Sequence, residues 1–291
     1  GAPETIHTVV STVEELKSAV ATDGRVVLAA DIVMSEILTI SKNVILDGNG
    51  KTLTSSAGRA INVSGANGVT IKNLTINASG ERAINVIQNA TNVTIENVTA
   101  TAANYTVNVA ASAPNAVVAI NESTLTGLNV VNIASVGADV TVTNSTINCN
   151  DKNTTAGESY AALCLNKAAV GASIVATNTN VNVTAGSDST KGRNGAEDGT
   201  VTINGSTEGV TTTVAVITYA GSDYYYGFTS VAEAIEFAKA TDTITLIRDI
   251  ELNKAIVIKD TVAIDLNGYT INFAPANSEK VTDTTIRFNS E

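Results

Sequence analysis

Histidine occurs once in this chain, cysteine twice and tryptophan not at all, and 17 basic residues face 28 acidic ones. Each scarcity removes a class of function. The lone His7 leaves a serine–histidine–aspartate nucleophile set without its base. Cys149 and Cys164 are too few for a zinc-ligand pattern or a disulfide framework, and two buried thiols are expected rather than a bridge. A net charge of −11 without a basic cluster argues against nucleic acid, whose phosphates need Lys and Arg, and offers little attraction to an anionic membrane. No run of 18 apolar residues occurs, so direct membrane insertion is not expected. No phosphate-binding glycine motif is found, and no cofactor is implied. The sequence opens on Gly1 rather than Met, so an export segment is expected to have been removed.

What is present is aliphatic and polar. Apolar residues make up 44% of the 291, aromatics only 4%, so Val, Ile, Leu and Ala carry the apolar mass beside Thr and Asn. Branched side chains of this kind suit a pleated surface buried on one side. They recur periodically. Segments beginning at Val69, Val93, Val117, Val140, Ile174 and Val201 follow one another at 24, 24, 23, 34 and 27 residues, with an earlier relative at Val44. A second element, Ala60-Ile-Asn-Val63, returns as Ala83-Ile-Asn-Val86, Thr106-Val-Asn-Val109 and Val130-Val-Asn-Ile133. A period this short holds short strands and turns but no crossover helix, and one coil alone cannot bury its apolar face. Stacked coils can. The L-x-x-L-x-L frame of leucine-rich repeats is missing, as are propeller signatures. The expected fold is all-β, a right-handed parallel β-helix (solenoid).

Parity along Val69-Thr-Ile-Lys-Asn73 puts Asn73 on the apolar side, and predicts an inward structural column of Asn73, Asn97, Asn121, Asn144 and Asn178. The same counting sends Asn62, Asn85, Asn108 and Asn132 outward, with Cys164 taking the next place in their series. Many of these asparagines lie in N-x-S/T sequons, which a repeat rich in Asn and Thr generates by composition.

Thr12-Val-Glu-Glu15 is a capping box, with Val13, Leu16 and Val20 at helical spacing; it predicts an N-terminal amphipathic capping helix near 12–21 over the first coil. The signature returns at Ser230-Val-Ala-Glu233, predicting a second helix near 230–240. Asp31, Ile40, Asp47, Asn49, Gly50 and Thr52 match Asp249, Ile258, Asp265, Asn267, Gly268 and Thr270, each at an offset of 218. The start of the solenoid is thus duplicated at the C-terminal end. Two domains are expected, 1–212 and 213–291, the second opening with a hairpin over Val214–Phe228 that turns at Gly221-Ser222-Asp223. Either the sequence stops inside a longer array or the short copy folds as a separate unit.

From Ser230 to Ile271, with the Tyr-rich strand before it and the run Asp265-Leu-Asn-Gly-Tyr-Thr270, the chain resembles a unit common in large bacterial cell-surface proteins. As a whole it resembles the pectate-lyase-like β-helix superfamily. That superfamily includes lyases, polygalacturonases, adhesins and surface stalks, so the resemblance implies fold and an extracellular or cell-surface location rather than one activity.

Little in the residues supports catalysis. Glycoside hydrolysis needs two carboxylates on one face, but Asp47, Glu96, Glu122 and Asp139 fall in different coils and at different positions. The polygalacturonase Asp-Asp pair and Gly-His-Gly have no counterpart. Lyases of this fold use Ca²⁺ on clustered carboxylates and a basic residue; Arg59 and Arg82 occupy equivalent places in adjacent coils, but a surface ion pair of Arg82 with Glu81 is the better reading. Asp47-Gly-Asn-Gly50 and Asp265-Leu-Asn-Gly268 lack the EF-hand frame and read as tight turns. No catalytic or metal-binding residue is assigned. Binding candidates are Arg59 and Arg82; the coil-lengthening loops Asp151–Tyr160 and Ala185–Thr200, the latter with Lys191 and Arg193; and the aromatic run Tyr224, Tyr225 and Tyr226. The expected role is a non-catalytic bacterial cell-surface protein acting as adhesin, glycan-binding scaffold or spacer, its partner a polysaccharide or a host or cell-surface glycan. The alternative is a polysaccharide lyase or glycoside hydrolase of the same fold.

Overall fold

Short Val/Ile/Thr strands repeating every two dozen residues have one way to bury their apolar sides, which is to stack on their own copies. They do. The computed structural model describes residues 7–150, 161–166, 168–183, 188–192, 199–208, 214–218, 225–228, 230–258, 262–274 and 286–288; at 188–192, 207–208, 218, 225–227 and 286–288 only the backbone is described. It is an all-β parallel solenoid of about nine turns, with two short helices among the described residues. The chain divides into two compact units, most of residues 1–210 in the first and residues 211–291 in the second.

Three walls make up the first unit. The first runs from His7–Val10 and Gly24–Leu28 through Val44–Asp47 to Ser173–Thr177 and Thr200–Ile203. The second holds Ile32–Met34, Thr52–Ser55, the trailing halves of Thr70–Ala78 and Val93–Thr101, then Thr124–Gly127, Thr146–Cys149 and Asn180–Val183. The third holds Leu38–Ile40, Arg59–Ser64, Arg82–Ile87, Tyr105–Val109, Val131–Ile133, Ala161–Leu165 and Asp188–Gly192. Neighbouring coils pair in parallel and in register, so like side chains pile up at about 4.8 Å. On the first wall Val26, Leu46, Ile71, Ile95, Ile120 and Val142 form one inward column, each at most 2% exposed. Leu53, Ile76, Ala100, Leu125 and Ile147 do so on the second wall, and Leu38, Ile61, Ile84, Val107, Val131 and Leu163 on the third. Each such aliphatic side chain contributes about 1.5–3 kcal/mol by leaving water.

Helix α1 (Val13–Ala19) starts at Thr12, whose Oγ1 accepts from Glu15 N at 3.2 Å while Glu15 Oε2 accepts from Thr12 N at 3.2 Å. Leu16 and Val20 are buried in the core of the first coils.

In the coils from Asn73 to Asn178 the first wall turns into the second through a single left-handed residue. Asn73, Asn97, Asn144 and Asn178 have φ of 52°, 50°, 51° and 47°. That residue resets the parity of the strand, so the predicted inward column is corrected: Asn73 is half-buried and Asn97, Asn144 and Asn178 are exposed on the outside of the corner. Amides still bridge coils, Asn97 Nδ2 to Asn73 Oδ1 at 2.9 Å and Asn178 Nδ2 to Asn144 Oδ1 at 2.7 Å. Asn121 does not belong to the column. It pairs with Glu96 and Thr143, and the corner residue of its coil is Glu122, with φ 49°. In the coil before Asn73 the equivalent place is Gly48, where a Cβ would come within 2.6 Å of Asn73 O and Leu74 Cβ, so only glycine fits.

The asparagines of the third wall are corrected in the opposite sense. Asn85, Asn108 and Asn132, read from the sequence as outward-facing, are 2%, 3% and 4% exposed. They form a continuous ladder: Asn85 Nδ2 donates to Asn62 Oδ1 (2.9 Å), Asn108 Nδ2 to Asn85 Oδ1 (2.8 Å) and Asn132 Nδ2 to Asn108 Oδ1 (2.7 Å). Cys164 lies in register with Asn132 and is buried, as is Cys149, whose thiol donates to Leu128 O at 3.0 Å.

The second unit repeats the opening of the first at the same offset of 218 found in the sequence. Helix α2 (Val231–Phe237) begins at Ser230, which accepts from Glu233 N at 3.1 Å. Strands Ile250–Leu252 and Ile256–Ile258 match Ile32–Met34 and Leu38–Ile40. Small polar contacts repeat as well: Thr52 N to Asp31 Oδ1 and Thr270 N to Asp249 Oδ1, both 2.8 Å, and Asn49 N to Asp47 Oδ1 and Asn267 N to Asp265 Oδ1, 3.0 and 2.8 Å. The carboxylates of the two Asp-x-Asn-Gly runs therefore close turns around left-handed Asn49 and Asn267. One difference is topological. His7–Val10 pairs directly with Gly24–Leu28, whereas its counterpart Tyr225–Phe228 is separated from Thr243–Leu246 by Ala215–Thr218, antiparallel to both. Ala215, Ile217, Phe228, Val231, Ala234, Ile235, Ile244 and Leu246 form this unit's own core.

Candidate functional site: the polar faces of the solenoid

Register decides which side chains the coils bring together. Arg59, Arg82 and Tyr105 stack as one column at the start of three successive third-wall strands. The Arg82 guanidinium lies 5.4 Å from the centroid of the Tyr105 ring, Nη1 donates to Asn85 Oδ1 at 3.1 Å, and Nη2 is 3.6 Å from Glu81 Oε1. Arg82 is thus tied to the amide ladder, to an aromatic face and to a carboxylate, with its buried Nε lacking a partner. Arg59 is half-buried and, among the described residues, makes no ion pair. The two guanidinium groups form a basic pair over two coils. Among the described residues no acidic cluster accompanies them.

Carboxylates are spread instead. Asp47 and Glu96 share a first-wall column but are separated in it by Lys72. Asp139 accepts from Ser173 Oγ at 2.6 Å in a later coil, and Glu122 stands at a corner. Among the described residues no group of three His, Cys, Asp or Glu side chains gathers to hold a metal ion. Asp47 is the most constrained. The residue is 5% exposed, and its carboxylate takes Arg25 Nη2 at 2.6 Å, Asn73 Nδ2 at 3.1 Å and Asn49 N at 3.0 Å. Burial pushes its pKa up, but the bonds from Asn73, Arg25 and Asn49, with the charge of Arg25, outweigh burial and hold it below the ordinary aspartate value. The arrangement neutralises the foot of the corner column rather than poising a proton for transfer.

The second wall presents a different surface, which the sequence reading overlooked. Its outward residues form two columns in register: Thr52, Thr75, Thr99, Thr124, Thr146 and Asn180, and beside it Thr54, Asn77, Thr101, Thr126, Asn148 and Asn182. The signal was available as the pairs Thr52-x-Thr54, Thr75-x-Asn77, Thr99-x-Thr101, Thr124-x-Thr126, Thr146-x-Asn148 and Asn180-x-Asn182. Over the first coils the second column, continued by Val33, borders a groove of about 500 Å³ whose far side carries Ser35, Ser56 and Ser79. A hollow of about 560 Å³ in the second unit lies beside α2 and residues 249–256, where the Asp249 carboxylate already holds Thr270 N.

Within the candidate loop Ala185–Thr200, residues 188–192 form the last third-wall strand rather than a loop, while Tyr224, Arg193 and Asp151–Tyr160 altogether, and the side chains of Tyr225, Tyr226 and Lys191, lie outside the described residues. So does the hairpin turn at 221–223.

Residues 7–107 match a family model described as "Putative pectate lyase-like adhesive domain". No curated protein and no solved structure matches the chain. The family match and the parallel solenoid together fit a pectate-lyase-like β-helix.

Proposed function

We propose that this chain is a non-catalytic adhesive module of a bacterial cell-surface protein, lying outside the cell, whose stacked polar columns bind surface glycans. The observation that carries the reading is the match of residues 7–107 to an adhesive-domain family model, on coils whose outward side chains are ordered in register. A rigid solenoid suits this role, because each coil repeats the same contacts at a fixed interval and a binding face grows by adding coils. Helix α1 is read as the cover over the first end of the core, shielding edge strands from pairing with other chains. Arg59 and Arg82 favour one second reading, a uronate-directed lyase in which the basic pair meets the sugar carboxylates.

The two readings separate in one experiment. Beads coated with the full chain are expected to adhere to glycan-bearing cell surfaces, while pectic and neutral polysaccharides incubated with it, with and without Ca²⁺, yield no unsaturated products or new reducing ends. Product formation abolished by Arg82→Ala would replace the adhesive reading with the lyase. Beads that do not adhere to any surface would sink it outright.

A further inference from the structure

Within that adhesive reading, and resting on it, we infer that the second wall carries a track for a single extended, uncharged polysaccharide chain laid along the solenoid axis. The groove of about 500 Å³ over the first coils is the start of this track, and none of the residues lining it ionises. Ser55 Oγ accepts from Ala57 N and Ser79 Oγ donates to Ser55 O, but other polar side chains of the groove have uncommitted hydrogen-bonding capacity. Elsewhere the asparagine amides are tied to one another, as in Asn62–Asn85–Asn108–Asn132, Asn67–Asn92 and Asn104–Asn129, and in the later coils of this same column Asn182 Nδ2 donates to Asn148 Oδ1 and Asn148 Nδ2 to Thr126 Oγ1. Asn77, Thr54 and Thr101 stand in register on the groove, and their side chains make no hydrogen bond to the described protein. Each therefore offers donors and acceptors that a ligand takes over from water at little net loss.

The lining selects the class of ligand. With no charged group in the groove, the carboxylates or sulfates of an anionic polymer would lose water without gaining a counter-charge, whereas sugar hydroxyls meet hydroxyl and amide partners. Threonine methyls and the side chain of Val33, 74% exposed, supply apolar surface for the C–H faces of pyranose rings. Threonine is held in few χ1 rotamers, so these groups are ordered before a ligand arrives. The coil rise selects the form. Equivalent side chains recur at about 4.8 Å, close to the advance of one ring in an extended, equatorially linked chain, so successive sugars can meet successive coils. From Val33 to Thr101 the column crosses three intervals, a length of about 14 Å, enough for about three sugars.

The test is calorimetric titration of the full chain with cello-, chito- and manno-oligosaccharides from disaccharide to octasaccharide, with oligogalacturonate as the charged comparison. One neutral series is expected to bind with affinity that climbs with length and levels off once the ligand spans the column, while oligogalacturonate binds more weakly. The double variant Thr54→Val/Thr101→Val, which keeps β-branched side chains and removes two hydroxyls, is expected to lose at least tenfold in affinity. Thr141→Val, on the outer face of the first wall, is expected to bind as the parent does. Unchanged affinity in the double variant, or no binding of any neutral series, overturns the track. If coated beads still adhere to cells in either of those cases, the track alone has failed; if the parent beads do not adhere, the adhesive reading has failed with it.

Discussion

Asn97 and Asn108 occupy two asparagine columns of one solenoid, and truncating each separates two physical reasons for the same residue type. Asn97 is exposed, sits at φ 50° and donates one hydrogen bond to Asn73. Its main task is conformational, since a left-handed backbone costs an ordinary residue about 1–2 kcal/mol while glycine adopts it freely and asparagine at reduced cost. Asn97→Ala is therefore expected to destabilise by about 1–2 kcal/mol, and Asn97→Gly by less than about 1 kcal/mol, because glycine loses only an exposed bond. Asn108 is 3% exposed and makes two amide bonds, to Asn85 at 2.8 Å and from Asn132 at 2.7 Å. Removing it deletes both, each worth about 1 kcal/mol, and leaves the buried Nδ2 of Asn132 without its acceptor, a further penalty of about 1–3 kcal/mol. Asn108→Ala should cost about 3–5 kcal/mol in total, with Asn108→Gly worse still because strand backbone gains nothing from glycine. Urea unfolding followed by far-ultraviolet circular dichroism measures all four variants, and hydrogen exchange across Tyr105–Val109 localises the second effect. The reasoning is refuted if glycine at 97 costs as much as alanine there, or if alanine at 108 is milder than alanine at 97.

Two further outcomes are expected. The folded pKa of Asp47 lies below its unfolded value, so its carboxylate stabilises the fold above the unfolded pKa, near about 3.9, and this contribution disappears as pH falls through the lower folded value. Asp47→Asn should therefore lower stability at neutral pH and flatten the acid limb of the stability–pH curve; an acid limb as steep as the parent's would show that the carboxylate is not the group responsible. Glu122, at φ 49°, breaks the corner column between Asn97 and Asn144. Glu122→Asn should raise stability by about 1 kcal/mol through backbone preference alone, and a fall in the urea midpoint would contradict the assignment of this residue to the corner.

The fold was legible because its signal is redundant. Every coil repeats the alternation that buries Leu46, Ile71, Ile95 and Ile120 in one column, so an error in any single coil leaves the period intact. The duplicated opening was legible for a similar reason. The offset of 218 places α2 and strands Ile250–Leu252 and Ile256–Ile258 where α1 and strands Ile32–Met34 and Leu38–Ile40 require, down to the paired bonds of Asp31 and Asp249. The intervening strand Ala215–Thr218 was not legible in the same way. A hairpin signal shows that two strands pair, but nothing local says that one of them will also pair with Thr243–Leu246 and displace the Tyr225–Phe228 strand from the place its counterpart holds.

The faces of the asparagine columns were misread for one cause. Counting inward and outward residues by parity assumes an unbroken strand, and Thr70–Ala78 is one strand by hydrogen bonding but two by direction, because Asn73 adopts a left-handed φ in its middle. Beyond that residue the count restarts, which is how Leu74 and Ile76 point inward although their parity is opposite to that of Ile71. On the third wall parity placed the asparagines on the side away from Ile84 and Val86, but the inference from that side to solvent failed. Arg82 bonds to Asn85 and lies over the ring of Tyr105, and each amide covers the next, so a nominally outer column is dry. The same logic explains the oversight on the second wall. Thr-x-Thr and Thr-x-Asn pairs look like ordinary solvated strand residues one coil at a time. Only the pairing of Thr54 with Asn77, and of Asn77 with Thr101, turns three unremarkable side chains into a continuous surface with hydrogen-bonding capacity to spare.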